Sequence, residues 1–136
     1  MPVGDFFMEK HMLNLLIIGA GGFIGAVLRY LTGIGVHRLL NTYAFPYGTL
    51  AVNILGCAVI GLLAGLAAGR GVMGPELRTF LFIGLLGGFT TFSTFGFETL
   101  MLGDGGRLGL ALVNVLANVG LGIGAAWATY ALAQSI

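Results

Sequence analysis

Four apolar segments constrain the fold of this chain more than any other feature, because each is about as long as the roughly 20 residues that cross a bilayer as a helix. Short turns rich in glycine, proline or charge separate them. Only 8% of the 136 residues are charged, whereas soluble domains carry about 25%. The chain is therefore predicted to be an all-α integral membrane protein with four transmembrane helices, at about 13–36, 47–68, 77–102 and 108–133.

The four segments leave no room for a second domain, so residues 1–136 are expected to form a single membrane domain. These segments also leave no residues for a soluble catalytic lobe, so the chain is not expected to be an enzyme. The formal net charge is +1 and there are no basic runs, which gives no reason to expect a nucleic-acid partner. We expect a multi-pass protein of the cell membrane, whether inner or plasma membrane, with the lipid bilayer as its surroundings.

The third segment contains an interruption at residues 87–96, where paired glycines, four hydroxyls and three phenylalanines replace plain apolar residues. Adjacent glycines weaken a helix by roughly 1 kcal/mol each relative to alanine. Irregular backbone at membrane depth is tolerated only where it faces protein or a water-filled path. The sequence predicts that the third helix breaks near 87–91, beside a polar pathway.

Further polar residues lie inside the other segments. Asn53 is several residues within the second span, and Asn114 and Asn118 share one face of the fourth because they are four residues apart. Each asparagine has two open interpretations, an interhelical hydrogen bond or part of an ion or substrate pathway. Arg29 and Glu98, near the ends of the first and third spans, either extend to the membrane surface or pair with each other.

The candidate lining of such a pathway consists of side-chain donors and aromatic ring edges, with no ring of acidic side chains to attract cations. Donors and the electropositive edges of aromatic rings suit a small anion. Phenylalanine is more often a core residue, so a packing role stays open for both rings in this set. The candidate residues are Asn53, Thr91, Phe92, Ser93, Thr94, Phe95, Asn114 and Asn118.

Charge placement gives almost no preferred orientation in the membrane. If the four spans alternate, one side holds Lys10, Arg70 and Arg78, and the other holds Arg38 and Arg107, with Arg29 added if it extends outward. The positive-inside rule needs an excess on one side. Insertion in both orientations, and with it an antiparallel homodimer, is compatible with this balance. The alternative is that the loops simply carry few charges.

Glycines spaced four residues apart predict close contacts between helices. The pairs are Gly21 with Gly25, Gly61 with Gly65, and Gly120 with Gly124. Contacts between subunits and packing within one four-helix bundle both explain this spacing.

Three motifs together resemble one known family, the Fluc (CrcB) fluoride channels. They are GLLGGFTTFSTF at 84–95, GTLAVNILG at 48–56 and GGFIGAVLRY at 21–30. The resemblance extends over residues 13–133, and the motif of the third span is highly specific.

The resemblance implies a dual-topology antiparallel homodimer with two pores that export fluoride passively and relieve its toxicity. Phe92 and Phe95 would direct their ring edges at the ion, and Asn53 would reach in from the second helix. The backbone carbonyls of Gly87 and Thr90 from both subunits would hold a structural sodium ion that is not transported. The Thr and Ser hydroxyls of the third span would continue the line of polar groups along the pore, and Arg29 would lie near a pore mouth.

The fourth span departs from that family, which often has tyrosine and serine where this chain has Asn114 and Asn118. Amide groups can still donate to fluoride, so a pore role is expected for both.

Two other functions remain open. A small multidrug-type proton-coupled exporter is also a dual-topology four-helix homodimer, but it needs a carboxylate in its substrate chamber, and Glu98 is the sole candidate here. A purely structural membrane subunit would explain the glycines but not the clustered hydroxyls and phenylalanines.

Overall fold

The computed structural model describes residues 3–71 and 73–136 of the chain; Val72 and the side chains of residues 3–7 and 70 lie outside the described residues. Regular secondary structure in the described part is helical throughout. Helix α1 is Val3–Leu40, α2 is Tyr47–Arg70, α3 covers residues 75–89, α4 is Phe92–Asp104 and α5 is Leu108–Gln134.

Four stretches in this part of the chain are long and apolar enough to cross a membrane. They are Met8–Leu40, Tyr47–Gly69, Pro75–Asp104 and Leu108–Gln134. Helix α1 is longer than the segment expected at 13–36: it runs through the Gly21–Gly22 pair and ends before Asn41, whose φ of 48° is left-handed. Helix α2 ends at Gly71, where a φ of 58° gives the left-handed cap that glycine adopts without strain.

The third membrane stretch is made of two helices that meet at an extended dipeptide. Helix α3 includes a π-helical turn at Thr79–Leu85, which ends where the amide of Leu86 donates to the carbonyl of Leu81. Thr90 and Thr91 then adopt extended backbone, with φ and ψ of −78° and 159° and of −150° and 113°. Helix α4 starts again at Phe92.

Helices α2 and α5 form one closely packed pair. A Cβ atom on Gly61 would overlap the carbonyl oxygen of Ala126, and one on Gly65 would lie 2.7 Å from the carbonyl oxygen of Tyr130. The Thr129 hydroxyl crosses the same interface and donates to the carbonyl of Ala58 at 2.8 Å. These contacts place the Gly61–Gly65 pair inside the bundle of one chain.

Helices α1 and α3 form the second close pair, and here backbone touches backbone. A Cβ atom on Gly25 would overlap the carbonyl oxygen of Leu85, and one on Gly21 would lie 2.8 Å from the amide nitrogen of Leu85. Gly84 and Gly88 face α1 from the other side. Small residues on both helices allow this approach, which brings α1 against the segment that precedes the break.

The third glycine pair has a different environment. A Cβ atom on Gly120 or Gly124 would meet no atom within 4 Å. This pair therefore takes no part in packing within the chain and lies on an open face of α5, beside the exposed side chains of Leu116 and Ile123.

We predict that Gly25→Ala destabilises the protein by about 1–3 kcal/mol, because the new methyl group overlaps a backbone oxygen on α3 that cannot move away freely. Gly19→Ala is the matched control on the same helix, since a Cβ there meets nothing within 4 Å. It should gain roughly 0.5–1 kcal/mol from the better helix former. Thermal unfolding in detergent measures both, and equal midpoints for the two variants would contradict the close approach of α1 and α3.

Candidate ion pathway

The peptide groups of Thr91, in the break between α3 and α4, are held by one side chain, the amide of Asn53 on α2. Its oxygen Oδ1 accepts a hydrogen bond from the Thr91 amide at 2.9 Å, and its nitrogen Nδ2 donates to the Thr91 carbonyl at 3.2 Å. Both backbone groups of Thr91 are thus paired although neither belongs to a helix. From the sequence, Asn53 is expected to reach into a pore from the second helix, and the structure places it against the break.

A chain of buried amides continues from Asn53. Its Nδ2 also donates to Oδ1 of Asn118 at 2.9 Å, and Nδ2 of Asn118 donates to both the backbone and the side-chain oxygen of Asn114 at 3.0 Å. Asn114 in turn donates to the Thr99 hydroxyl at 2.9 Å, which donates to the carbonyl of Phe95 at 2.8 Å. We call Asn53, Asn118, Asn114 and Thr99 the amide relay; it connects α2, α5 and α4.

Thr91 begins α4 as its N-terminal cap. Its hydroxyl oxygen accepts from the amide of Thr94 at 3.2 Å and lies 3.0 Å from the Thr94 hydroxyl and 3.4 Å from that of Ser93. The first amides of a helix have no partners within it, and the aligned peptide dipoles make that end positive. Ser93 and Thr94 are exposed on the surface of the chain, so a positive helix end with hydroxyls opens outward here.

Phe92 and Phe95 form an edge-to-face pair with ring centroids 5.3 Å apart and planes at 60°. Phe95 is buried, with 7% of its surface exposed, whereas Phe92 is 80% exposed. Two rings that share a helix face therefore have different surroundings. The Phe92 ring extends beyond the bundle of a single chain.

The carbonyl groups at the end of α3 lose their helical partners at the break. The amide of Thr91, which would pair with the Gly87 carbonyl in a regular helix, donates to Asn53 instead. Gly87 is exposed, so its carbonyl is available for a ligand. The Thr90 carbonyl accepts from Nη1 of Arg29 at 3.2 Å, and its second lone pair remains.

Two cavities meet at the break. The first, a cleft of about 380 Å³ that we call the break cleft, joins most of the candidate residues in one place. The second, of about 360 Å³, lies between α1 and α2 and includes Arg29, Thr91 and Thr94. The candidate residues that line the break cleft are Asn53, Gly87, Thr90, Thr91, Phe92, Phe95 and Asn118.

Asn114 does not line either of these cavities. It is fully buried, with 0% of its surface exposed, and its amide nitrogen contacts Thr99. Asn114 and Asn118 do share a face, as the spacing predicted, and they bond to each other. This position gives Asn114 protein partners in place of direct access to a pathway.

Arg29 and Glu98 do not pair with each other, and that alternative is wrong. Arg29 contacts the Thr90 carbonyl, while Oε1 of Glu98 accepts from the Thr49 hydroxyl at 2.8 Å and its Oε2 is buried without a partner. Arg29 lies against the end of α3, and Glu98 lies against α2.

The sequence did not mark two hydroxyl residues of this region: Thr99, which ends the amide relay, and Thr49, which donates to Glu98 and lines the second cavity. Thr99 follows Phe95 by one helical turn. That spacing alone could have marked the Thr99 hydroxyl as a partner for the Phe95 carbonyl. Thr49 lies within the motif at 48–56, one turn before Asn53.

The motifs that build this site match a known family. The profile of the CrcB-like protein family, described as Camphor Resistance (CrcB), matches residues 16–130. The chain belongs to the CrcB family. Within this CrcB protein the matched residues include the whole break cleft and the amide relay.

Several curated relatives share close to half of their residues with this CrcB chain. It is 44% identical over 124 residues to the fluoride-specific ion channel FluC of Rhodospirillum centenum, an alignment that covers 91% of this chain and 98% of that protein. The FluC proteins of Agrobacterium fabrum and Geobacter sulfurreducens are 45% and 46% identical over 125 residues, covering 92% of this chain and 99% and 100% of theirs. These relatives give no support to the proton-coupled exporter.

Proposed function

We propose that this protein is a fluoride-selective ion channel that lets fluoride leave the cell passively and so relieves fluoride toxicity. The observation that carries the proposal is the break cleft, which gathers a positive helix end, two phenylalanine rings and a broken backbone in one place. Membership of the CrcB family and the names of the similar proteins support fluoride as the ion.

The pathway is proposed to follow the start of α4. A small anion is stabilised there by the positive helix end, by the Ser93 and Thr94 hydroxyls and by the ring edges of Phe92 and Phe95. Arg29 would add a positive charge in the adjoining cavity. Several weak contacts in sequence can replace the hydration of fluoride and still let it move on.

A second copy of the chain is proposed to complete each pathway, giving an antiparallel homodimer with two pores. Phe92 and Gly87 are both exposed on the single chain, and a carbonyl without a helical partner inside a membrane needs a partner other than lipid. The open glycines of α5, Gly120 and Gly124, offer a face on which another helix can approach closely. The balanced loop charges are compatible with both orientations.

The same homodimer is proposed to hold a structural sodium ion. The Gly87 carbonyl has lost its helical partner and the Thr90 carbonyl keeps one lone pair, so two chains would present four oxygens of the kind that hard cations prefer. No cluster of three acidic, histidine or cysteine side chains occurs in the part of the chain that the structure describes, so carbonyls are the suitable ligands. The bound cation would offset the cost of nearby anions.

We predict that Phe92→Ile and Phe95→Ile each reduce fluoride efflux from liposomes by about tenfold or more, because an aliphatic side chain lacks the electropositive ring edge. Phe97→Ile is the matched control, since Phe97 lies on the same helix and is 62% exposed but does not line the break cleft. A fluoride electrode measures efflux, and size-exclusion chromatography confirms folding. Normal efflux in both variants would refute the pore assignment.

The sodium proposal predicts one tightly bound sodium ion for every two chains. Equilibrium dialysis with radioactive sodium measures the stoichiometry on the purified protein without any transport assay. Replacing sodium by N-methylglucamine on both sides should also lower fluoride efflux, because the cation supports the break in both subunits. A stoichiometry of zero would overturn the proposal.

Dual topology predicts that half of the copies present any given loop to each side of the membrane. The test variant carries Gly105→Cys and Cys57→Ala. Sealed vesicles that contain it are labelled with a thiol reagent that does not cross the membrane, which measures the share of copies with residue 105 on the outside. About half of the copies should react from outside, and the remainder after permeabilisation. Complete or absent labelling from outside would show a single orientation.

A further inference from the structure

We infer that Asn118 and Asn114 are positioning residues, which hold Asn53 against the Thr91 peptide and do not donate hydrogen bonds to the transported ion. This inference rests on the proposed channel function. It differs from the pore role expected from the sequence, in which both side chains would donate to fluoride.

The side-chain donors of Asn118 are used within the protein, and Asn114 is kept from the ion by its burial. An asparagine side chain has two N–H groups, and those of Asn53 are used by the Thr91 carbonyl and by Oδ1 of Asn118. Those of Asn118 are used by the backbone and side-chain oxygens of Asn114. Neither amide has an N–H group left for an anion, although both residues line the break cleft.

The direction of the hydrogen bonds is uniform along the relay. Each amide donates to the next residue, from Asn53 through Asn118 and Asn114 to the Thr99 hydroxyl, which ends on the Phe95 carbonyl. The amide orientation of each member is therefore fixed by its neighbours. Turning Asn118 toward an ion would take one of its two acceptors from Asn53 Nδ2 and would leave Oδ1 of Asn114 without its donor, and buried polar groups are costly to leave unpaired.

Burial gives an independent reason. Asn114 and Val52 are the largest fully buried side chains of the described residues, and Asn118 is only 9% exposed. An ion would have to enter between α4 and α5 to reach Asn114. The relay instead connects Asn53, which holds the Thr91 peptide, through α5 to Thr99 on α4.

The test uses Asn118→Leu, Asn53→Leu and the double variant, with Val119→Ala as the matched control. Val119 neighbours Asn118 and lines the same cleft but makes no side-chain hydrogen bond. Hydrogen exchange of the Thr91 amide is measured by NMR on the purified protein in detergent, and fluoride efflux is measured in liposomes. The control should exchange and conduct like the unmodified chain.

Positioning predicts that Asn118→Leu speeds exchange of the Thr91 amide by about fivefold or more, as expected when a supporting hydrogen bond is lost. It also predicts that the double variant conducts no more than about twofold below Asn53→Leu alone, because the two residues act as one unit. Unchanged Thr91 exchange in Asn118→Leu, or efflux losses that multiply in the double variant, would overturn the inference.

A second measurement needs no substitution. With asparagine labelled by nitrogen-15, the side-chain signals of Asn114 and Asn118 in the unmodified protein should stay in place when potassium fluoride replaces potassium chloride. A fluoride-dependent shift of either signal at saturating fluoride, larger than that of the Asn53 side chain, would overturn the inference. Absence of fluoride efflux by the unmodified protein would instead refute the proposed function, and Thr91 exchange would still decide whether Asn118 supports the break.

Discussion

The paired hydrogen bonds between the Asn53 amide and the Thr91 peptide are the interaction on which the rest of the site depends. Lipid offers no partners to a free N–H or carbonyl group, so an extended dipeptide at membrane depth persists only if protein supplies them. Asn53 supplies two at once, at 2.9 and 3.2 Å. With that side chain in place α3 can end and α4 can begin without an unpaired peptide at Thr91.

The break then produces two helix ends of opposite polarity beside each other. The end of α3 presents freed carbonyl oxygen at Gly87, and the start of α4 presents positive amides with the hydroxyls of Ser93 and Thr94. One end favours a cation and the other an anion. This arrangement gives the proposed sodium and fluoride sites a single structural origin, and the glycine contacts of α1 with α3 hold the first of these ends close to the bundle.

The distribution of polarity in this chain is the reverse of that in a soluble bundle. Asn114, with 0% exposure, is among the largest fully buried side chains, while Phe23 and Trp127 are 72% and 76% exposed. Apolar side chains gain nothing from leaving lipid, and packing of small residues and hydrogen bonds take over the task of joining the helices. The amide relay and the Thr129 bond to Ala58 are the polar part of that packing.

Segment length, glycine chemistry and the helical repeat are local properties, so the sequence alone predicted the helical membrane class, the place of the polar interruption and the helix face that Asn114 and Asn118 share. It could not assign the glycine pairs to interfaces, separate Arg29 from Glu98, or show which donors remain free. Those depend on which helix faces which: α2 brings Asn53 to Thr91, and α5 brings Asn118 to Asn53. The partners of the Asn53 amide became known only from the packing of the helices, since they lie 38 and 65 residues away along the chain.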